Sequence, residues 1–281
     1  MIVSVSRRCD IPRLQFKWFL GRLVMGYCEA VNPYNRHQVK RVPLIPMKEG
    51  MKPEDGVDIF VFWTRDPRNI LANVESLTRR GFHFYVMVTV TDYPTVLEPS
   101  MVRASKVLTA MKKLSQIIDP KRVIWRYDPI FLSNITDVDF HKRNFKALAE
   151  NLAGSVQRVI VSIYDEYEKI KPRMDALQKI GQFKLLPQEK ITCELPGLLT
   201  DFANSAQAAG LEIQSCAEED FSQYGVKPGA CIDAELIKEL CGLESGGKDK
   251  NQRPLCLCTK STDIGAYKLC NSGCVYCYAW Y

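Results

Sequence analysis

The chain has few of the features that announce an activity directly. Its 281 residues include three histidines, His37, His83 and His141, which lie far apart and show no ligand spacing. A histidine-built metal centre is therefore not expected. No P-loop, Ser-His-Asp arrangement or Rossmann glycine fingerprint stands out, so phosphate cradles and serine-type hydrolysis have no support. No stretch approaches the roughly 18–20 apolar residues of a membrane span. There is no long Lys/Arg run either, and the net charge of +6 is only a weak pointer to an anionic partner such as a nucleotide or nucleic acid. The opening Met-Ile-Val-Ser-Val-Ser-Arg-Arg carries its charge after the apolar run and has no long apolar region. It reads as a buried strand and not as a signal peptide, and the expected location is the cytoplasm.

What is present fits a soluble globular protein with a core of useful size. Hydrophobic residues make up 46% and charged residues 25%. The length suits one large domain, or one domain with a small appendage. Eleven cysteines are many for such a chain, and their placement is uneven. Cys9, Cys28 and Cys193 are scattered, whereas the other eight fall between Cys216 and Cys277. An odd total, clustered, without a leader, argues against a disulfide scaffold and for metal or cluster ligation.

Short apolar runs recur through the first 216 residues: Ile2–Ser6, Ile59–Trp63, Phe84–Val90, Val123–Trp125, Val159–Ile163, and Leu211–Ile213 leading into a sixth. Such runs suit parallel strands covered on both faces. Helical patterns fill the gaps at Leu14–Tyr27, Arg68–Arg80, Pro99–Ile118, Asp137–Ala153 and Gln188–Ala209, the last expected to kink or divide at Pro196. The order predicts an α/β fold, either a partial barrel or an open sheet. The expected organisation is an α/β unit over 1–215 and a cysteine-rich segment over 216–281. The Gly-Gly pair within Glu244–Lys248 is the most linker-like stretch. Each predicted strand runs into polar residues, among them Arg7, Cys9 and Asp10, Thr64 and Arg65, Thr91 and Asp92, Arg126 and Asp128, Tyr164 and Asp165, and Cys216 and Glu218. In parallel α/β folds these ends share one face, where ligands bind. Asp-Pro pairs such as Asp66-Pro67 also start helices or turns on their own account.

The strongest motif is Cys270-Asn-Ser-Gly-Cys274-Val-Tyr-Cys277, a C-x3-C-x2-C with an aromatic residue before its last cysteine. Three thiolates so spaced can wrap one face of a [4Fe–4S] cubane and leave one iron open, since cubanes usually take four cysteines. The motif resembles that of the radical S-adenosylmethionine superfamily, and Cys-Val-Tyr-Cys-Tyr-Ala is similar to the form in spore photoproduct lyase and its relatives. Val61–Pro67 and Val123–Pro129 resemble interior strands of that group. The resemblance implies a partial (β/α)6 barrel. It implies an open iron that binds S-adenosylmethionine and cleaves it reductively, an electron donor, and Tyr276 beside the adenine. The whole chain further resembles an uncharacterised bacterial family marked by Ser6-Arg7-Arg8-x-Asp10-Ile11-Pro12 and Asp263-Ile264-Gly265-x-Tyr267-x-x-Cys270. One feature departs from the superfamily. Its cysteine loop usually follows the first strand, whereas here the motif ends at Cys277, four residues before Tyr281. The tail is therefore expected to fold back over the barrel mouth. No counterpart of the Gly-Gly-Glu contact motif stands out.

Cys216, Cys231, Cys256 and Cys258 form a possible four-thiolate site, either a second [4Fe–4S] cluster, as in the auxiliary clusters of that superfamily, or structural zinc. Cys241 reads as a buried helix residue and Cys193 as packing. Arg7, Arg8, Arg65 and Arg126 suit a carboxylate or phosphate, or surface ion pairs. Asp10, Asp128 and Glu218 suit orientation of those arginines, proton transfer, or a purely structural role. Cys9 is either a hydrogen-atom donor at the barrel mouth or a buried inert thiol. Arg7, Thr64, Arg126 and Tyr276 are the expected cofactor contacts. Tyr276, Tyr278, Trp280 and Tyr281 suit stacking on a base or anchoring of the tail. The leading expectation is a radical S-adenosylmethionine enzyme of unknown substrate, which includes a nucleotide or nucleic acid. The alternatives are a zinc-stabilised nucleic-acid-binding protein and an iron–sulfur electron-transfer protein.

Overall fold

The computed structural model describes residues 1–33, 35, 37–244 and 247–279. Trp280 and Tyr281 of the aromatic end, and Ser245 and Gly246 of the glycine stretch, lie outside the described residues. In chain order the elements are β1 (Ile2–Val5), α1 (Ile11–Leu14), α2 (Phe16–Met25), β2 (Tyr27–Val31), β3 (Val39–Pro43), β4 (Ile59–Thr64), α3 (Arg68–Leu71), α4 (Val74–Arg79), β5 (His83–Thr89), α5 (Ala104–Ile118), β6 (Val123–Ile130), α6 (Val138–Leu152), β7 (Arg158–Ile163), α7 (Lys171–Lys179), α8 (Gln188–Ala208), β8 (Glu212–Cys216), β9 (Lys227–Gly229), α9 (Ala234–Cys241) and β10 (Thr262–Asp263).

Eight strands form one sheet in the order β10-β1-β4-β5-β6-β7-β8-β9, and every pairing in it is parallel. The six apolar runs are its six inner strands. β4 is buried at all six positions, as a strand covered on both faces must be. On one face Phe60, Phe62, Phe84, Val86, Trp125 and Val161 join the large core with the helices. Phe19 of α2 packs edge-on against Phe60 and Phe62, and Phe145 of α6 stacks on Phe202 of α8 at 4.0 Å. On the other face Ile59, Val61, Trp63, Tyr85, Met87, Ile124 and Ile160 pack with Ile232, Leu236, Ile237, Cys256 and Cys258. Residues beyond 215 thus cover that face and also supply both edge strands.

Several helices differ from the predicted spans. The pattern over 68–80 is two short helices, with α3 ending at Leu71 and α4 starting at Val74. Helix α5 begins at Ala104 and not at Pro99. Helix α8 runs unbroken through Pro196. Proline there removes the bond to the Thr192 carbonyl, but Thr192 is exposed, so water can satisfy that oxygen. Cys193, expected to pack, is exposed on the same helix. The antiparallel hairpin of β2 and β3 was not predicted; β3 alternates poorly and is exposed at Val39, Lys40 and Arg41. No described helix is long and apolar enough to cross a membrane.

Candidate functional site at the strand ends

Because all eight strands are parallel, their polar carboxyl ends lie along one side of the sheet. The pairing of β10 with β1 brings the cysteine motif to that side. Val3 is opposite Thr262 and Ser4 opposite Asp263, so the chain leaves β10 beside the end of the first strand. Asp263 fastens this junction. Its carboxylate accepts from Ser4 Oγ at 2.8 Å, Ser6 Oγ at 2.6 Å, the Arg7 amide at 2.8 Å and the Gly265 amide at 2.9 Å. Gly265 lies flat against Ser6. A Cβ there would fall 2.5 Å from Ser6 Cβ and 3.0 Å from Cys9 Sγ. The two signature stretches, one near each end of the sequence, are therefore a single structural joint.

Beyond the joint, Cys274 is buried while Cys270 and Cys277 are half-buried. Arg173 of α7 donates to the carbonyls of Val275 at 2.5 Å and Cys277 at 3.0 Å. The Val275 amide donates to the Leu97 carbonyl at 3.0 Å. Arg13 donates to Ser272 Oγ at 2.7 Å. Gly273 takes φ +73°, a left-handed turn that glycine adopts without strain. Burial pushes the Cys274 thiol up to about 12, against the pull of the Arg65 charge. Cys9 is buried beside Gly265, and burial pushes its thiol up to about 11, with Asp263 and Cys270 adding to the effect.

Tyr276 is held firmly. Its ring lies 5.6 Å from Phe131 and 6.2 Å from Tyr93, and its hydroxyl contacts Glu98 and accepts from Arg65 at 2.9 Å. Arg65 pairs with Glu98 at 2.7 Å, and Thr91 donates to Glu98 at 2.6 Å. Glu98, the centre of this network, was not singled out in the sequence, where it is one polar residue before a proline. Asp10 caps α1 through the Arg13 amide at 3.0 Å and accepts the Arg65 amide at 2.8 Å, a structural role. Thr64 bonds the Asp66 backbone at 3.0 Å, on the helix-covered side of the sheet. It is not brought together with Arg7 and Arg126.

Those two arginines flank Trp63. The Arg7 guanidinium lies 5.4 Å and that of Arg126 5.0 Å from the indole ring. Tyr278, next to Cys277, donates to the Arg7 carbonyl at 3.0 Å. Both guanidinium groups also lie near the Cys231 thiol. The four upstream cysteines do come together. Cys231 Sγ is 3.1 Å from Cys216 Sγ, and Cys258 takes thiol hydrogen bonds from Cys231 and Cys256. Those bonds pull Cys258 and Cys216 down and hold Cys231 and Cys256 up. Cys241 lies apart, half-buried on α9 and bonded to the Ile237 carbonyl. At the ends of β6, β7 and β8, Asp128 pairs with Arg126 at 2.8 Å and Glu218 accepts the Ile163 amide at 3.0 Å.

The fit to a metal group divides into chemistry and geometry. The donor chemistry suits a thiophilic group: three cysteines on one short loop with Arg65 and Arg173 close enough to offset thiolate charge, and four more in mutual contact. The spacing is not that of a ready-made ion site. Among the described residues no three His, Cys, Asp or Glu side chains form one. The upstream thiols touch in a chain and are not set around a common centre.

No curated protein matches the chain. The model of a family described as a domain of unknown function, DUF1848, matches residues 2–279 and so takes in both halves of the joint at Asp263. The chain belongs to that family.

Proposed function

We propose that the chain is an atypical radical S-adenosylmethionine enzyme, with Cys270, Cys274 and Cys277 holding a [4Fe–4S] cluster at the mouth of a partial barrel. One observation carries this reading. The C-x3-C-x2-C loop leaves a parallel edge strand, β10, next to β1, at the polar ends of the sheet. In this reading a motif close to the end of the sequence would stand in for the cysteine loop that usually follows the first strand. When bound, the cluster supplies one electron for cleavage of S-adenosylmethionine to methionine and a 5′-deoxyadenosyl radical.

The chain's own residues have distinct tasks in this reading. Arg173 and Arg13 fix the backbone and Ser272 of the cysteine loop. Arg65 and Arg173 offset thiolate charge. Tyr276, locked between Phe131 and Tyr93, sets the inner wall for an adenine. Thr64 stabilises the turn after β4, and Arg7 and Arg126 face the cofactor and substrate. Cys9 keeps its proton at neutral pH, the state a hydrogen-atom donor requires. Reduced, reconstituted protein is expected to convert S-adenosylmethionine to 5′-deoxyadenosine or a related cleavage product. If a fully loaded and reduced sample neither binds S-adenosylmethionine nor yields such a product, the reading fails.

Cys216, Cys231, Cys256 and Cys258 would hold either a second [4Fe–4S] cluster or zinc, both of which accept four thiolates. Zinc holds four thiolates at about 2.3 Å, hence about 3.8 Å from one another. A cubane spreads its ligands over separate irons and keeps them wider apart. The 3.1 Å contact of Cys216 and Cys231 is closer than either group would hold its sulfurs, so these thiols would have to move apart to take up metal.

A further inference from the structure

The face of the sheet that carries Trp63 presents three buried nitrogen donors without a partner among the described residues: Arg7 Nε, Arg126 Nε and Trp63 Nε1. A buried donor left unpaired costs about 1–3 kcal/mol, so three around one indole demand an explanation. The known partners leave these atoms over. Arg7 gives Nη2 to Ser261 Oγ at 3.2 Å, and Arg126 gives Nη2 to Asp128 at 2.8 Å. Asp263, the other carboxylate beside Arg7, is already engaged by two serines and two amides. Arg7 follows β1 and Arg126 lies in β6, so the two cations come from separate strands and meet at the ring of a third, β4. Tyr278 links this place to the cysteine motif through the Arg7 carbonyl, and Cys216, Cys231 and Cys258 border it on the other side.

We propose that Arg7, Arg126 and Trp63 form an oxyanion pocket that takes the carboxylate or phosphate of the molecule acted on, between the two groups of cysteines. Guanidinium forks suit both anions, and charge-assisted bonds are the strong ones. The proposal deepens the reading of the strand ends as an active site, but its test needs neither a cluster nor S-adenosylmethionine.

The test is NMR of the metal-free, full-length protein labelled with ¹⁵N, titrated with inorganic phosphate and separately with acetate, with chloride holding ionic strength constant. The side-chain Nε–H signals of Arg7 and Arg126 and the indole N–H of Trp63 are expected to shift together and saturably. That of Arg79, exposed and paired with Glu75 at 2.9 Å, stays still. Saturation by phosphate alone points to a phosphorylated ligand, by acetate alone to a carboxylate, and by both to a pocket that reads the shared charge. In Arg126→Gln and Arg7→Gln, affinity is expected to fall about ten- to a hundredfold. Arg126→Lys, which keeps the charge without the fork, falls between. If the three signals do not move with either anion, the arginines serve only the neighbouring thiols and the proposal is overturned. Equal affinity in folded Arg126→Gln and wild-type protein overturns it as well.

Discussion

Glu218 illustrates how a single side chain ties the site to pH. Burial at the end of β8 raises its carboxyl from 4.5 to about 7, against the pull of the Ile163 amide that donates to it. Between roughly pH 4.5 and 7 the folded chain therefore holds more protons at this position than the unfolded one, and its stabilising contribution is lost as pH rises through that window. His141 has the opposite sign. Burial lowers it to about 4, so its contribution is lost as pH falls from 6.5 towards that value. Comparing wild type with Glu218→Gln separates the two. The variant should gain stability relative to wild type between pH 5 and pH 8 in urea titrations, and an unchanged gap would refute the assignment. A second residue, Gly265, tests the packing of the joint. A methyl group there meets Ser6 inside contact distance, so Gly265→Ala should lose about 2–3 kcal/mol in the same measurement.

At the scale of elements, the joint of β10 and β1 decides where the cysteine motif lies. It is a two-residue strand whose hold depends on one carboxylate. Asp263→Ala removes four acceptor contacts and should cost about 3 kcal/mol. It should also raise hydrogen exchange at the Ile264 amide, which bonds the Ser4 carbonyl at 3.1 Å. Protection at Ile264 equal to wild type would show that the strand holds without the clamp. The six inner strands were legible because each is a dense apolar run, and the strand-end residues were legible because polarity changes abruptly there. β10 was not, since Thr-Asp carries no period and forms only by pairing with a partner some 259 residues away. Glu98 was missed for a related reason. Its role comes from Arg65 and Tyr276, which the fold brings to it from distant parts of the chain. Pro196 does not divide α8, because an exposed helix face tolerates the missing bond.

Across the whole molecule, the cysteine-rich segment and the remainder share one sheet and one buried face. A chain ending at residue 215 would uncover Ile59, Val61, Trp63, Tyr85, Met87, Ile124 and Ile160, an apolar surface of the kind that aggregates. That truncation should be insoluble or molten when expressed, as judged by gel filtration and dye binding; a monomeric, cooperatively folding product would contradict this view of the core. The central claim concerns the motif that this architecture delivers to the strand ends. It is tested most directly by iron and acid-labile sulfide analysis after anaerobic reconstitution, comparing wild type with a variant in which Cys270, Cys274 and Cys277 are all alanine. Wild type should carry about four more irons and four more sulfides per chain than the variant, with the metal at the upstream cysteines unchanged in both. Equal iron in the two proteins, or zinc with no iron or sulfide in wild type, would contradict the account.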